Sequence, residues 1–308
     1  MRLIITFILF VLLGCQTKTS SEENETKAVI KDYDSLENKN TVANLDSVKS
    51  NQDKKSKSQK SKLPVTLLTL TNFEQNGDNR SSKINDSLFA EFLKSFTAYQ
   101  DNMNTLLFDN PKYDTYNTLI YADKDQIDTE AKEFKDSIQN IGFYISISEG
   151  MIFLEKDPEF LKKFSPYLSE RMNTFRIQYS KEIKNPLAED GGIIISTSEL
   201  IQRMLFWEQF ASNHKGFELP NYANDQFKMH LFYLMFGMDN TPIHNWSDSL
   251  NIRPELIKAY KDIIDKHPNS KSAIYLSDYL SYLEKKNYQY DNSFHKYGRD
   301  KFPDMYNN

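Results

Sequence analysis

Ile84-Asn-Asp-Ser-Leu88-Phe-Ala-Glu-Phe92-Leu-Lys-Ser-Phe96-Thr-Ala-Tyr99-Gln-Asp-Asn-Met103-Asn-Thr-Leu106 is the stretch that decides the fold class. Its apolar residues Ile84, Leu88, Phe92, Phe96, Tyr99, Met103 and Leu106 recur by threes and fours. That spacing places them along one face of an α-helix, with polar residues on the other. Asn110-Pro111 ends the pattern, because the residue before a proline is driven out of the helical region.

The same grammar repeats toward the C-terminus. A short helix is expected around 113–122 and a third over about 125–154, with a break at Gly142. Within it, Gly142-Phe-Tyr-Ile-Ser-Ile-Ser-Glu-Gly150 suits a strand as well as a helix, since it alternates and is β-branched. Asp157-Pro158 and Ser165-Pro166 each pair a capping residue with proline at the first helical position, the latter opening a helix to about 183. Asn185 to Gly192 is a break. Ser196 and Glu199 form a capping box for a helix to about 213, another spans 221–236 and stops at Gly237, and two more cover about 253–267 and 270–286. Val65-Thr-Leu-Leu-Thr-Leu-Thr71 reads as a short strand or as an extension of the helical core. The aromatic tail (Tyr288, Tyr290, Phe294, Tyr297, Phe302, Tyr306) is expected to pack back on the domain.

These elements give an all-α expectation: one multi-helix domain over 63–308 with about eight or nine helices. The pair around His267-Pro268-Asn269-Ser270 resembles a tetratricopeptide-type hairpin. No fixed 34-residue period supports assigning that repeat family.

The N-terminus has a different character. Met1 to Leu13 carries one basic residue, Arg2, and an apolar run too short to cross a bilayer. It ends Leu12-Leu13-Gly14-Cys15, which resembles the lipobox of bacterial lipoproteins. The resemblance implies removal of residues 1–14, a diacylglycerol on the Cys15 thiol and often a further chain on its amine. Each buried CH₂ contributes roughly 0.8 kcal/mol, so two or three chains anchor stably where one does not. Cys15 is the only cysteine, so no internal disulfide is expected.

Residues 15–62 form the lipidated cysteine and a Lys/Ser/Asn/Glu-rich stretch in which Tyr33 is the sole aromatic. Such a composition buries too little surface to offset chain entropy and reads as a disordered tether. About 45 flexible residues span on the order of 35–40 Å. Ser20-Ser21-Glu22-Glu23, with the Asn/Lys/Tyr-rich composition, resembles the acidic signal of surface-displayed lipoproteins in Bacteroidota. The implied location is the cell envelope, at the outer membrane, with surface display compatible. Lys54 to Lys62 is a basic run, read as a solvated linker or as attracted to anionic headgroups.

The formal charge of the chain is −5, which argues against nucleic acid as a partner. The histidines (His214, His230, His244, His267, His295) form no metal-binding spacing, so no metal and no cofactor beyond the covalent lipid is expected. No nucleophile motif occurs. The acids beside Gly191-Gly192 disfavour phosphate there.

Two spots carry the candidate chemistry. Glu149 lies in an apolar segment (Ile145, Ile147, Met151, Ile152, Phe153), and Glu208 follows Trp207. Carboxylates in such places are either paired as structural joints or shifted toward general-acid use, and two facing each other suit glycoside chemistry. With Asp190 they are the candidate catalytic residues. The second spot is Asp239, Asn240, His244, Asn245 and Trp246, hydrogen-bonding groups beside an exposed-looking tryptophan. It suits a small ligand or carbohydrate, or a structured connection with Trp246 as a lid. The expected function is a membrane-anchored envelope lipoprotein whose helical domain binds or scaffolds an envelope protein, glycan or small nutrient. The alternative is a carboxylate-dependent envelope hydrolase acting on a glycan or ester.

Overall fold

The computed structural model describes residues 64–121, 126–219, 221–246, 250–301 and 303. Cys15, the signal segment 1–14 and the tether lie outside the described residues. The chain is mostly helical, with eleven α-helices among the described residues where eight or nine were expected, and three small antiparallel hairpins. It divides into two compact units, here 64–185 and 186–303.

The first unit begins with α1 (Val65–Asn76). The helical of the two readings holds there: Thr66, Thr69, Leu70 and Phe73 are buried, a helical spacing. The threonines disguised that stripe, and Thr69 Oγ1 turns back to donate to the Val65 carbonyl at 2.8 Å. Next come α2 (Ser82–Phe108), capped by Ser81, then α3 (Tyr113–Tyr121) and α4 (Thr129–Asn140), capped by Asp128. The buried face of α2 is wider than its first-read stripe, because Phe89, Leu93 and Leu107 join it.

The expected helix over 125–154 is corrected. It stops at Asn140, and β1 (Phe143–Ser148) pairs with β2 (Met151–Lys156) in a tight hairpin. Gly142 makes the break with φ +94°, and a Cβ there would strike the Phe160 ring. Glu149 and Gly150 turn the hairpin with φ +49° and +76°, as a two-residue turn matching the strand twist requires. An isolated two-stranded hairpin is marginal in water. Here α2 completes its edge: the Asn104 side chain accepts from the Leu154 N–H at 2.8 Å and donates to the Leu154 carbonyl at 3.1 Å. Gln100 Nε2 also donates to that carbonyl, at 2.9 Å, and Lys156 Nζ donates to Gln100 Oε1 at 2.6 Å.

Helix α5 (Pro158–Lys162) starts on the Asp157 cap as read. The helix expected from Ser165 is interrupted: a 3₁₀ turn (Ser165–Tyr167) comes first, and α6 (Glu170–Lys184) restarts on Ser169. The buried Asp86 carboxylate holds that joint, accepting from the Ser169 N–H at 2.9 Å and hydroxyl at 2.5 Å. Phe73, Phe89, Phe92 and Phe160 surround Phe164, with centroids 5.0–5.9 Å from it.

The second unit opens with β3 (Ala188–Glu189) and β4 (Gly192–Ile193), turned by Asp190-Gly191. Then come α7 (Thr197–Asn213) and α8 (Tyr222–Phe236). Ser196 caps α7 as expected, accepting from the Glu199 N–H at 3.1 Å. The Glu199 carboxylate is paired instead with the buried Arg203, at 2.7 Å. A third hairpin joins β5 (Gly237–Met238) to β6 (Thr241–Pro242). Helices α9 (Pro254–Lys266), α10 (Lys271–Lys285) and α11 (Ser293–Lys301) follow. The end of α8 is fixed by two buried tyrosines: Tyr260 of α9 donates to the Leu234 carbonyl at 2.8 Å and Tyr279 of α10 to that of Met235 at 2.5 Å. Carbonyls in a last helical turn lack helical partners, so these hydroxyls complete them. No helix among the described residues is long and apolar enough to cross a membrane.

Candidate functional site

The connection after α8 leaves Gly237 with φ +69°, where a Cβ would strike the Thr241 carbonyl. The chain folds through β5 and β6 and then runs beside two later segments. Asn245 N–H donates to the Asn251 carbonyl and Arg253 N–H to that of Ile243, both at 2.9 Å. On the far side, Ile252 N–H donates to the Tyr288 carbonyl at 2.8 Å and Tyr290 N–H to that of Leu250 at 3.0 Å. Three stretches of the second unit, 243–245, 250–253 and 288–290, thus form a small irregular sheet with no mark in the local sequence.

That sheet assembles an aromatic surface. The His244 ring lies 4.4 Å from Tyr290 and 5.8 Å from Trp246, the latter edge-on. Trp246 is 75% exposed, so it is no lid on the core. Tyr290 continues the row to the buried Phe294 at 4.9 Å, and its hydroxyl lies 3.1 Å from His295 Nε2. Burial raises the Tyr290 hydroxyl pKa, and the nearby carboxylates of Asp239 and Asp291 raise it further. Asn245 is exposed beside Trp246, and its carbonyl lies 3.0 Å from His244 Nδ1.

Of the five predicted ligand residues, the structure brings His244, Asn245 and Trp246 together, with Asp239 near Tyr290. Asn240 serves another purpose. Its backbone N–H donates to the Gly191 carbonyl at 2.9 Å and its amide to that of Asp190, tying the β3–β4 and β5–β6 turns to each other.

The candidate catalytic carboxylates have separate places. Glu149 is exposed at the tip of the β1–β2 hairpin in the first unit, so the apolar surroundings expected for it are not found. Asp190 is exposed at the β3–β4 turn, with φ +45°. Glu208 is buried, and its oxygens accept from the backbone N–H groups of Lys271 and Ser272 and, at 2.6 Å, from the Ser272 hydroxyl. It closes the open N–H groups at the start of α10 with negative charge, the structural one of its two readings. Among the described residues no group of three or more His, Cys, Asp or Glu could hold a metal ion.

Two residues escaped the sequence reading as site members. Tyr290 was visible only as one of several tail aromatics. Arg253 stood unmarked at the start of the helix expected over about 253–267. No protein-family model, no curated protein and no solved structure matches the chain.

Proposed function

We propose that this chain is a membrane-anchored envelope lipoprotein that contacts a glycan through the Trp246–His244–Tyr290 surface of its second unit. The observation that carries the reading is Trp246: a large aromatic side chain, 75% exposed, supported edge-on by His244 rather than packed into the core. Sugar rings present apolar faces rimmed by hydroxyls. A tryptophan face beside Asn245 and His244 offers the matching apolar area and hydrogen-bonding rim. The proposed anchor is lipid on Cys15, supported by the lipobox-like sequence, and the stretch 16–62, read from its composition as a tether, would give the folded units reach from the membrane.

Two finer readings belong with this proposal. The α9–α10 hairpin stacks in the tetratricopeptide manner, supported by contacts of α10 with both α7 and α8. The hydrolase alternative loses support at Glu208, whose carboxylate is committed to the start of α10.

The test is a fluorescence titration with soluble peptidoglycan fragments. Trp207 is fully buried and Trp246 exposed, so a ligand-dependent emission shift reports Trp246. The expected result is a saturable blue shift in the full chain that is lost in Trp246→Phe. An unshifted spectrum with every fragment sinks the glycan reading. Cys15→Ser, with metabolic acyl labelling, tests the anchor separately: the label and the membrane fraction should both be lost.

A further inference from the structure

The second unit also holds a cleft that the Trp246 surface does not use. Its volume is about 210 Å³, and Ile195, Leu200, Leu234 and Leu256 supply apolar walls. Its polar lining comes from hydroxyl side chains and one cation, Arg253, and no carboxylate lines it. The backbone of Arg253 is held by its N–H bond to the Ile243 carbonyl.

The Arg253 side chain is only 28% exposed, and its Nε is buried without a hydrogen-bond partner. The neighbouring acid is Glu255, 3.5 Å from Nε, outside hydrogen-bond alignment and 65% exposed. An ion pair to so exposed a carboxylate is screened and weak. Nε itself is shielded from the cleft, and the remaining N–H donors of the planar guanidinium fork match a carboxylate. A single cation neutralises a monoanion. A phosphate dianion would bring a second charge into aliphatic walls with nothing to pair it.

We propose that this cleft binds a small aliphatic monocarboxylate. Arg253 receives the carboxylate, and the alkyl chain lies against Ile195, Leu200, Leu234 and Leu256. The site is distinct from the glycan surface and does not depend on it.

The test uses the full chain with labelled Ile and Leu methyl groups, titrated with hexanoate, hexanol and inorganic phosphate. Hexanoate should shift the Ile195, Leu200 and Leu256 methyls saturably. Hexanol should bind at least about tenfold more weakly, having lost the charge-assisted hydrogen bonds, and phosphate should leave these methyls unmoved. Arg253→Gln should weaken hexanoate by a similar factor, while Trp246→Ala should leave its affinity unchanged. The proposal is overturned if hexanoate shifts no cleft methyl. Equal binding of hexanol and hexanoate by the wild-type chain also overturns it, and that comparison needs no variant to fold.

Discussion

The two units differ in the aromatic side chains they present to solvent: Trp246 of the second is 75% exposed, Phe108 of the first 42%. In the first, buried polar side chains serve joints: Asp86 fixes the start of α6, and Asn104, Gln100 and Lys156 complete the edge of β2. The apolar interior is a phenylalanine cluster around Phe164. The second unit has equally committed groups, Glu208 at α10 and the tyrosines at the end of α8, and each unit also buries polar atoms without a hydrogen-bond partner, among them Arg80 Nη1 in the first and Arg253 Nε in the second. What sets the second unit apart is Trp246, which stands in solvent. Uncommitted polar and aromatic groups are where a ligand gains most, because fully paired groups offer it nothing new. That exposed aromatic places the proposed glycan contact in 186–303.

The largest effects should come from breaking the joints. Glu208→Gln turns one acceptor oxygen toward N–H groups as an amide donor, and should destabilise the second unit by about 3 kcal/mol. Asp86→Asn should cost the first unit a similar amount, roughly 2–3 kcal/mol. Hydrogen exchange should localise each loss, to α7 and α10 for Glu208 and to α2 and α6 for Asp86. Glycan binding retained by Asp86→Asn, measured where the second unit stays protected, would sharpen the division of roles.

A second effect is pH-dependent and confined to the second unit. His230 is fully buried, with Nδ1 donating to the Gln226 carbonyl at 2.7 Å. Its pKa is pushed down from 6.5 to about 4 by burial, opposed by that bond and aided by the Arg203 charge. The unfolded chain takes up the proton near 6.5 and the folded one only near 4. The stability is therefore fully present above pH 6.5 and lost as pH falls through this window, by up to about 3 kcal/mol. Chemical unfolding at pH 7 and pH 4.5 should show the slope, and His230→Gln should remove its share of it. The smallest effect should be Glu149→Gln: at an exposed hairpin tip it should move Tm by no more than about 1 °C and leave glycan binding intact. A loss of binding there would return the hydrolase reading to consideration.

Local punctuation was legible in the sequence because its physics is local. The Asp157-Pro158 start, the Ser196 cap and the Gly237 stop all involve neighbours within four residues. The β1–β2 hairpin was legible only as an ambiguity, since the groups that complete its edge sit about fifty residues earlier in α2. Glu208 marked itself as an acid in an apolar helix, yet its partners lie 63 and 64 residues on. The Trp246 loop was legible as a composition of hydrogen-bonding groups beside an aromatic. Its assembly with Tyr290 depends on pairing to 250–252 and 288–290, for which no periodicity exists to read.

The central claim is that Trp246 of the second unit, and not the exposed apolar side chains of the first, meets the envelope glycan. Ile147 at the first unit's hairpin tip is 50% exposed and serves as the matched control. The direct measurement is co-sedimentation of the full chain with purified peptidoglycan sacculi, for wild type, Trp246→Ala and Ile147→Ala, each checked for unchanged Tm. The account predicts that wild type and Ile147→Ala sediment alike and that Trp246→Ala loses about 2 kcal/mol, some thirtyfold in affinity. Equal sedimentation of Trp246→Ala and wild type, or none by either, would contradict it.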